Sequence, residues 1–291
     1  MYYFFNFDDS KQDTNNYDSV SVAIRDIVQT LMENVMDRVL VTDPFVAEEH
    51  HARKPLYAAL VPDEIFKGSH FERRFVTPFG TAWEKLAMAV GNVHHGKCTK
   101  GTTIEGTIGK ERLRRIQEIL NRLEHGVNGK KKQKPNWDEE LTYILAGGGE
   151  PIPTSVTCDI LINSKITGES YAFELKGPLP NSDQTKVSKE KMFKLLAMDG
   201  TPIKQAYYAL PYNPYIKREN YEWSFPGRWF NMKEDSCVLI GDELWNLIGG
   251  EGTYQLFISE INKLGIHYKE RIYREFLGIE PPEGFDTATL K

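Results

Sequence analysis

The stretch "CDILINSKITGESYAFELKG" (158–177) places Asp159, Glu174 and Lys176 inside apolar, β-branched runs that read as two short strands, with the turn around Gly168. Strand interiors usually exclude such side chains, because burying a charge is costly unless something pairs with it. Residues i and i+2 of a strand project to one face. Glu174 and Lys176 are therefore expected on one side, with Tyr171, Phe173 and Leu175 packed on the other. Hairpin pairing would bring Asp159 beside Glu174, so that two carboxylates and an ammonium converge at one spot on the sheet.

That trio suits hydrolysis of a phosphodiester. Mg2+ prefers carboxylate oxygens, keeps several waters and bridges to phosphate oxygens. Asp159, Glu174 and the backbone carbonyl of Leu175 are the expected ligands, and the ion would stabilise charge on the phosphoryl oxygens and the leaving group. Lys176 would orient the attacking water or neutralise transition-state charge. It also offsets carboxylate repulsion until the ion arrives. An E-x-K triplet alone recurs by chance. The strand context, the upstream acid and the lysine-rich sequence that follows sharpen it. The competing reading is a solvent-exposed hairpin with a cross-strand ion pair, contributing under ~1 kcal/mol.

The elements that must position these residues follow from periodicity. In "DSVSVAIRDIVQTLMENVMDRVL" (18–40), Val20, Ile24, Ile27, Leu31 and Val35 recur at helical spacing behind Asp18 or Ser19 as N-cap. A second helix is expected after Pro78, closing near Gly91, and "HHGKCTKGTTIEGTIG" reads as a loop or small hairpin. A third helix covers about 109–125, with Leu113, Ile116, Leu120 and Leu123 on one stripe and Arg112, Arg115 and Arg122 off it. "AGGGEPIP" (146–153) is a break, and it lacks the GK[ST] ending of a phosphate loop. After the hairpin, a helix is expected from about Asp183 to Met198. Strands at "QAYYALPYN" and "SCVLIG" follow, then two closing helices. The layout is α/β, with a central mixed β-sheet flanked by helices and an N-terminal helical elaboration. A single domain is expected over 1–291, with a helical part to about 150, a hairpin core over about 151–260 and C-terminal helices over 242–291.

Composition bounds the function classes. Apolar residues make up 40% of the 291 and charged residues 26%, ordinary for a globular protein. No apolar run approaches the ~20 residues needed to cross a bilayer. The aromatic start "MYYFFNF" lacks the basic region of a signal peptide. Cys98, Cys158 and Cys237 fit neither a disulfide framework nor a zinc pattern, and the adjacent His94 and His95 do not share one face. A cytoplasmic location and no membrane association are the expectation. The net charge of −5 hides an asymmetry. Residues 109–134 carry nine Lys/Arg against three Glu, a local +6, which leaves −11 for the rest. A basic segment on an acidic body points to a polyanionic partner, or else to a solvated helix and loop.

The segments "CDILI" and "FELK" resemble the PD-(D/E)xK nuclease signature, with Asp159, Glu174 and Lys176 at its three positions and Cys158 where a proline is usual. "FELKGPLPNSDQTKVSKEKMFKLLAM", "YYALPYNPY" and "LIGDELWNLIGG" are similar to the TdeIII-type type II restriction endonucleases, over roughly residues 70–260. The resemblance implies a restriction-endonuclease-like core and a Mg2+-dependent site-specific deoxyribonuclease. Its target would be a palindromic GGNCC-like site in double-stranded DNA, cut by a homodimer and protected by a cognate DNA methyltransferase. It also implies a further acid on an upstream helix, for which "FGTAWEKLAMAV" offers Glu84.

DNA contacts are expected from the helix after the hairpin and from the aromatic loop "NPYIKRENYEWSFPGRWF". On the helix, Gln184, Lys186, Lys189, Lys191 and Lys194 could clamp phosphates, or could form a solvated face. In the loop, Lys217, Arg218 and Arg228 could read guanine edges, or could be charged ends of core packing. The alternatives to a restriction enzyme are a structure-specific repair or recombination nuclease of the same fold, and a non-catalytic DNA-binding protein.

Overall fold

Why a glycine- and threonine-rich segment becomes a strand is answered by its β-branched residues. Thr99, Thr102, Thr103, Ile104, Thr107 and Ile108 line strand β1 (Cys98–Gly109), in place of the expected loop or small hairpin. The computed structural model describes residues 12–125 and 132–287. The aromatic start and the 126–131 part of the basic run lie outside the described residues. β1 pairs antiparallel with β2 (Pro151–Asn163) along its whole length, from Cys98 opposite Ile162 to Gly109 opposite Pro151. β2 thus begins inside the expected break. Its prolines, Pro151 and Pro153, sit where β3 (Ser170–Leu175) does not reach. β3 pairs antiparallel only with Ile160–Asn163, so the missing N–H groups face a free edge.

β3 runs parallel to β4 (Ile203–Leu210), connected by helix α7 (Ser182–Ala197), and β4 runs parallel to β5 (Val238–Ile240). The result is a five-stranded mixed sheet in the order β1-β2-β3-β4-β5, flanked by helices. This is the restriction-endonuclease-like α/β core expected from the sequence. α5 (Lys110–Glu124) buries Ile116, Ile119, Leu120 and Leu123. Its start is held by a close approach: the Glu111 N–H donates to Gly148 O at 3.0 Å, and a Cβ on Gly109 would come within 2.7 Å of that same oxygen. The missing side chain of Gly109 therefore makes room for the Gly148 backbone. α6 (Trp137–Leu145) is a helix the periodicity reading passed over. Asn136 caps it by accepting from the Glu139 N–H, and Trp137 stacks on Phe193 of α7 at 4.6 Å. Each large side chain fully buried here contributes ~1.5–3 kcal/mol.

The chain divides into two compact units, Ala87–Tyr254 with the sheet, and Met1–Leu86 with Gln255–Lys291. In the helical unit, α1 (Gln12–Asp37) buries Val20, Ile24, Val28, Met32 and Val35. α2 (Ala47–Arg53) and α3 (Pro55–Ala58) follow. α4 (Asp63–His95) runs straight through Pro78, where the sequence reading started a new helix. Proline removes one helical hydrogen bond, but four aromatics spaced by four residues bridge the break. Phe71, Phe75, Phe79 and Trp83 follow one another at 6.0, 4.9 and 5.6 Å between ring centroids. α8 (Asp242–Gly249) and α9 (Thr253–Arg271) complete the described helices of four or more residues, apart from π-helical turns at Arg38–Thr42 and Ile272–Leu277. No described helix is long and apolar enough to cross a membrane.

Candidate active site

Continuing the Ile160–Phe173 pairing by one residue sets Asp159 opposite Glu174, so both carboxylates rise from one face of the sheet. Lys176 follows the end of β3. Its N–H still donates to Ala209 O at 3.0 Å, which keeps the chain extended and directs its side chain back to Glu174. The three predicted residues meet. Lys176 Nζ lies 2.6 Å from Asp159 Oδ2 and 3.4 Å from Glu174 Oε2, and it also donates to Leu175 O at 2.9 Å. Asp159 Oδ2 accepts from the Leu175 N–H at 2.9 Å as well.

Two further side chains arrive from α7. Ser188 Oγ donates to Glu174 Oε2 at 3.2 Å. Lys191 Nζ forms an ion pair with Glu174 Oε1 and lies 3.7 Å from Asp159 Oδ1. Sequence reasoning missed Ser188 altogether and placed Lys191 among the DNA contacts without its link to the two acids. The signal was available, since residues 188 and 191 share a helix face one turn apart.

Glu174 is only 1% exposed. Burial, and next the charge of Asp159, push its carboxyl above the ordinary carboxylate range, and Lys176 and Lys191 pull the other way. Burial likewise raises the Cys158 thiol to about 11, so a neutral side chain stands next to Asp159. The donor set suits a hard divalent cation. It offers two carboxylates and the Leu175 carbonyl, all oxygen, already gathered around ammonium groups. Among the described residues there is no group of three or more His, Cys, Asp or Glu side chains that could hold a metal ion. Two carboxylates and one carbonyl would leave the remaining positions of such an ion to water and substrate phosphate.

The loop between Lys176 and α7 is fixed by the aromatic segment downstream. Tyr221 Oη donates to Pro178 O and Trp223 Nε1 to Pro180 O, each at 2.8 Å, and Trp229 Nε1 donates to Ser182 Oγ at 3.0 Å. Tyr221, Trp229 and Phe230 of that segment pack into the core, and these bonds set where α7 begins and hence where Ser188 and Lys191 point.

The other expected contacts separate clearly. Lys189 is 0% exposed: it pairs with Glu140 at 2.5 Å, donates to Trp229 O, and sits among Trp137, Phe193 and Phe230. A phosphate cannot reach it there, and its place in the core corrects the sequence expectation. Arg218 spends its guanidinium on Glu243 at 2.9 Å, Met232 O at 3.0 Å and Asp235 O at 2.6 Å, which staples the aromatic loop to its surroundings. Gln184, Lys217 and Arg228 are exposed. Lys186 is half-buried, paired with Glu124 and 5.6 Å from the centre of the Trp229 ring, and Lys194 pairs with Glu190 at 2.7 Å. Glu84 is half-buried on α4, in the helical unit.

The arginines of the basic run are likewise engaged. Arg112 bonds Ala197 O at 3.0 Å and Asp199 at 2.7 Å, Arg115 bonds Tyr143 O at 2.7 Å, and Arg114 and Arg122 pair with Glu111 and Glu118. The run's described lysines, Lys110, Lys132 and Lys134, are exposed. His95 joins Ser164 Oγ at 2.9 Å to Leu247 O at 3.0 Å.

Fold and site together define an α/β protein with a restriction-endonuclease-like core and an acid–acid–amine cluster on paired strands. Residues 20–265 match the family model described as "Type II restriction endonuclease, HinfI", and the chain belongs to that family. Three curated type II restriction enzymes of Herpetosiphon aurantiacus are similar. HgiEI is 26% identical and HgiBI 25%, both over 235 residues (77% of this chain and 81% of theirs). HgiCII is 24% identical over 229 residues, 77% and 82% of the two chains. The broader expectation, a type II restriction endonuclease, agrees with these matches. The family is that of HinfI, where sequence segments had suggested TdeIII-type enzymes.

Proposed function

We propose that this type II restriction endonuclease cuts a palindromic, GGNCC-like site in double-stranded DNA, using a PD-(D/E)xK cluster and Mg2+. The observation that carries the reading is the convergence of Asp159, Glu174 and Lys176, with Lys176 Nζ within 2.6 Å of one acid and 3.4 Å of the other. Asp159, Glu174 and the Leu175 carbonyl would hold the ion. When bound, it supplies charge stabilisation at the phosphoryl oxygens and acidifies water. Lys176 orients the attacking water and offsets the charge that builds on the phosphate. The Leu175 N–H fixes the orientation of the Asp159 carboxylate, and Ser188 does the same for Glu174.

Gln184, Lys186, Lys191, Lys217 and Arg228 are the proposed DNA contacts. A palindromic target calls for a symmetric homodimer with one active site per strand. A cognate DNA methyltransferase would protect host DNA, both units belong to one nuclease, and the enzyme acts in the cytoplasm. The test is digestion of phage or plasmid DNA with and without Mg2+, followed by sequencing of the ends. Discrete fragments sharing one palindrome support the reading. Cutting only at branched junctions, or undiminished cutting in excess chelator, contradicts it.

A further inference from the structure

We propose that Lys191 is a built-in placeholder cation, held between the two carboxylates and displaced when a divalent ion binds. The inference rests on the reading above, that Asp159 and Glu174 hold such an ion.

Each of the four carboxylate oxygens faces an ammonium group. Asp159 Oδ2 and Glu174 Oε2 face Lys176, at 2.6 and 3.4 Å. Asp159 Oδ1, at 3.7 Å, and Glu174 Oε1, in direct contact, face Lys191. Two negative charges are thus matched by two positive ones with no metal. A divalent cation arriving among the same oxygens cannot share them with both ammoniums, since like charges a few ångströms apart repel strongly where water is scarce.

The two lysines are not equally placed to yield. Lys176 is tied down at both ends, its N–H on Ala209 O and its Nζ also on Leu175 O. Lys191 reaches in from α7 with its side chain 25% exposed, and its two ion pairs are both to the site carboxylates. It loses least by turning outward, and water receives its charge as it leaves. Retaining a second lysine here keeps the buried Glu174 paired while no divalent ion is present, which avoids an uncompensated charge in the core.

The test is calorimetric titration of the full chain with Ca2+ in the absence of DNA, for wild type, Lys191→Met, Lys191→Gln and Glu174→Gln. Removing the competitor should tighten Ca2+ binding by about tenfold, equivalent to ~1.4 kcal/mol. It should also enlarge the Ca2+-induced rise in melting temperature. Lys191→Gln keeps a hydrogen-bonding head without the charge. It should move the same way, and it serves if Lys191→Met folds poorly. Glu174→Gln should lose Ca2+ binding. Unchanged or weaker binding in both Lys191 variants, with Glu174→Gln still abolishing it, would overturn the placeholder role and leave the cation site standing. Full binding by Glu174→Gln, or no binding by any form, would instead remove the site on which the inference rests.

Discussion

Replacing Lys189 by methionine tests whether α7 is anchored by a buried ion pair or presents that lysine to DNA. Lys189 Nζ lies 2.5 Å from Glu140 Oε2, and the two side chains are 0% and 3% exposed. Methionine fills most of the lysine's volume and leaves Glu140 buried without its partner. The carboxylate limits the damage by taking a proton. From an ordinary pKa of 4.5 that costs ~3.4 kcal/mol at pH 7, but only ~0.7 kcal/mol at pH 5. Loss of the donor to Trp229 O adds ~1 kcal/mol at either pH. The expected destabilisation is therefore about 4 kcal/mol at pH 7, within the range for breaking a buried pair, and about 2 kcal/mol at pH 5. Urea unfolding followed by tryptophan fluorescence reads it directly, since Trp137 stands beside the pair. With a urea dependence of ~2.5 kcal/mol/M, the midpoint should fall by ~1.6 M at pH 7. A Glu140→Gln/Lys189→Met double variant should recover part of the loss. A cost below ~1 kcal/mol at pH 7, or one that does not shrink toward pH 5, would refute the argument.

Glu174→Gln and Lys176→Met should each lower the cleavage rate by at least ~10³-fold while changing DNA affinity by less than about fivefold, measured by single-turnover digestion and fluorescence anisotropy. Glu260 is buried. That burial raises its carboxyl, but hydrogen bonds from Arg25, Lys263 and Ser21 more than offset it and hold the group at about 2. Its stabilisation is present above the ordinary carboxylate value and lost as pH falls toward 2. Glu260→Gln should therefore cost ~1–2 kcal/mol near pH 6 and little near pH 2.5, discounted because Arg25 is largely in water, as followed by urea melts across that range. Pro78→Ala should raise the melting temperature, because it restores a backbone hydrogen bond inside α4 at a position where proline costs up to ~3 kcal/mol; a lower melting temperature would show that the helix needs its proline.

The site was legible where local pattern and chemistry coincide. Charges at Asp159, Glu174 and Lys176 inside β-branched runs announce their own strands, and period-2 and period-3.6 spacing gave β3, α5 and α7 to within a residue and β4 to within three. Non-local contacts were not legible. β1 carries glycines at 101 and 106, which argue for a loop, and only its pairing with β2 makes it a strand. Pro78 argues for a helix start, and the aromatic row from Phe71 to Trp83 overrides it. Lysines on α7 look alike in sequence. One is buried on Glu140, one is paired with Glu124 and one reaches Asp159 and Glu174, because α7 packs against α5, α6 and the sheet. Charge counting could not tell engaged cations from free ones, for the same reason. The arginines of α5 raise the local charge, yet their partners are carbonyls and carboxylates of this chain.

The central claim is that the acids of the hairpin carry the chemistry, and Asp159→Asn tests it most directly. Its rate of Mg2+-dependent cutting should be measured beside wild type on DNA bearing the target mapped for the native enzyme. The account predicts loss of cutting with DNA binding retained. Cleavage at the wild-type rate by Asp159→Asn would contradict it.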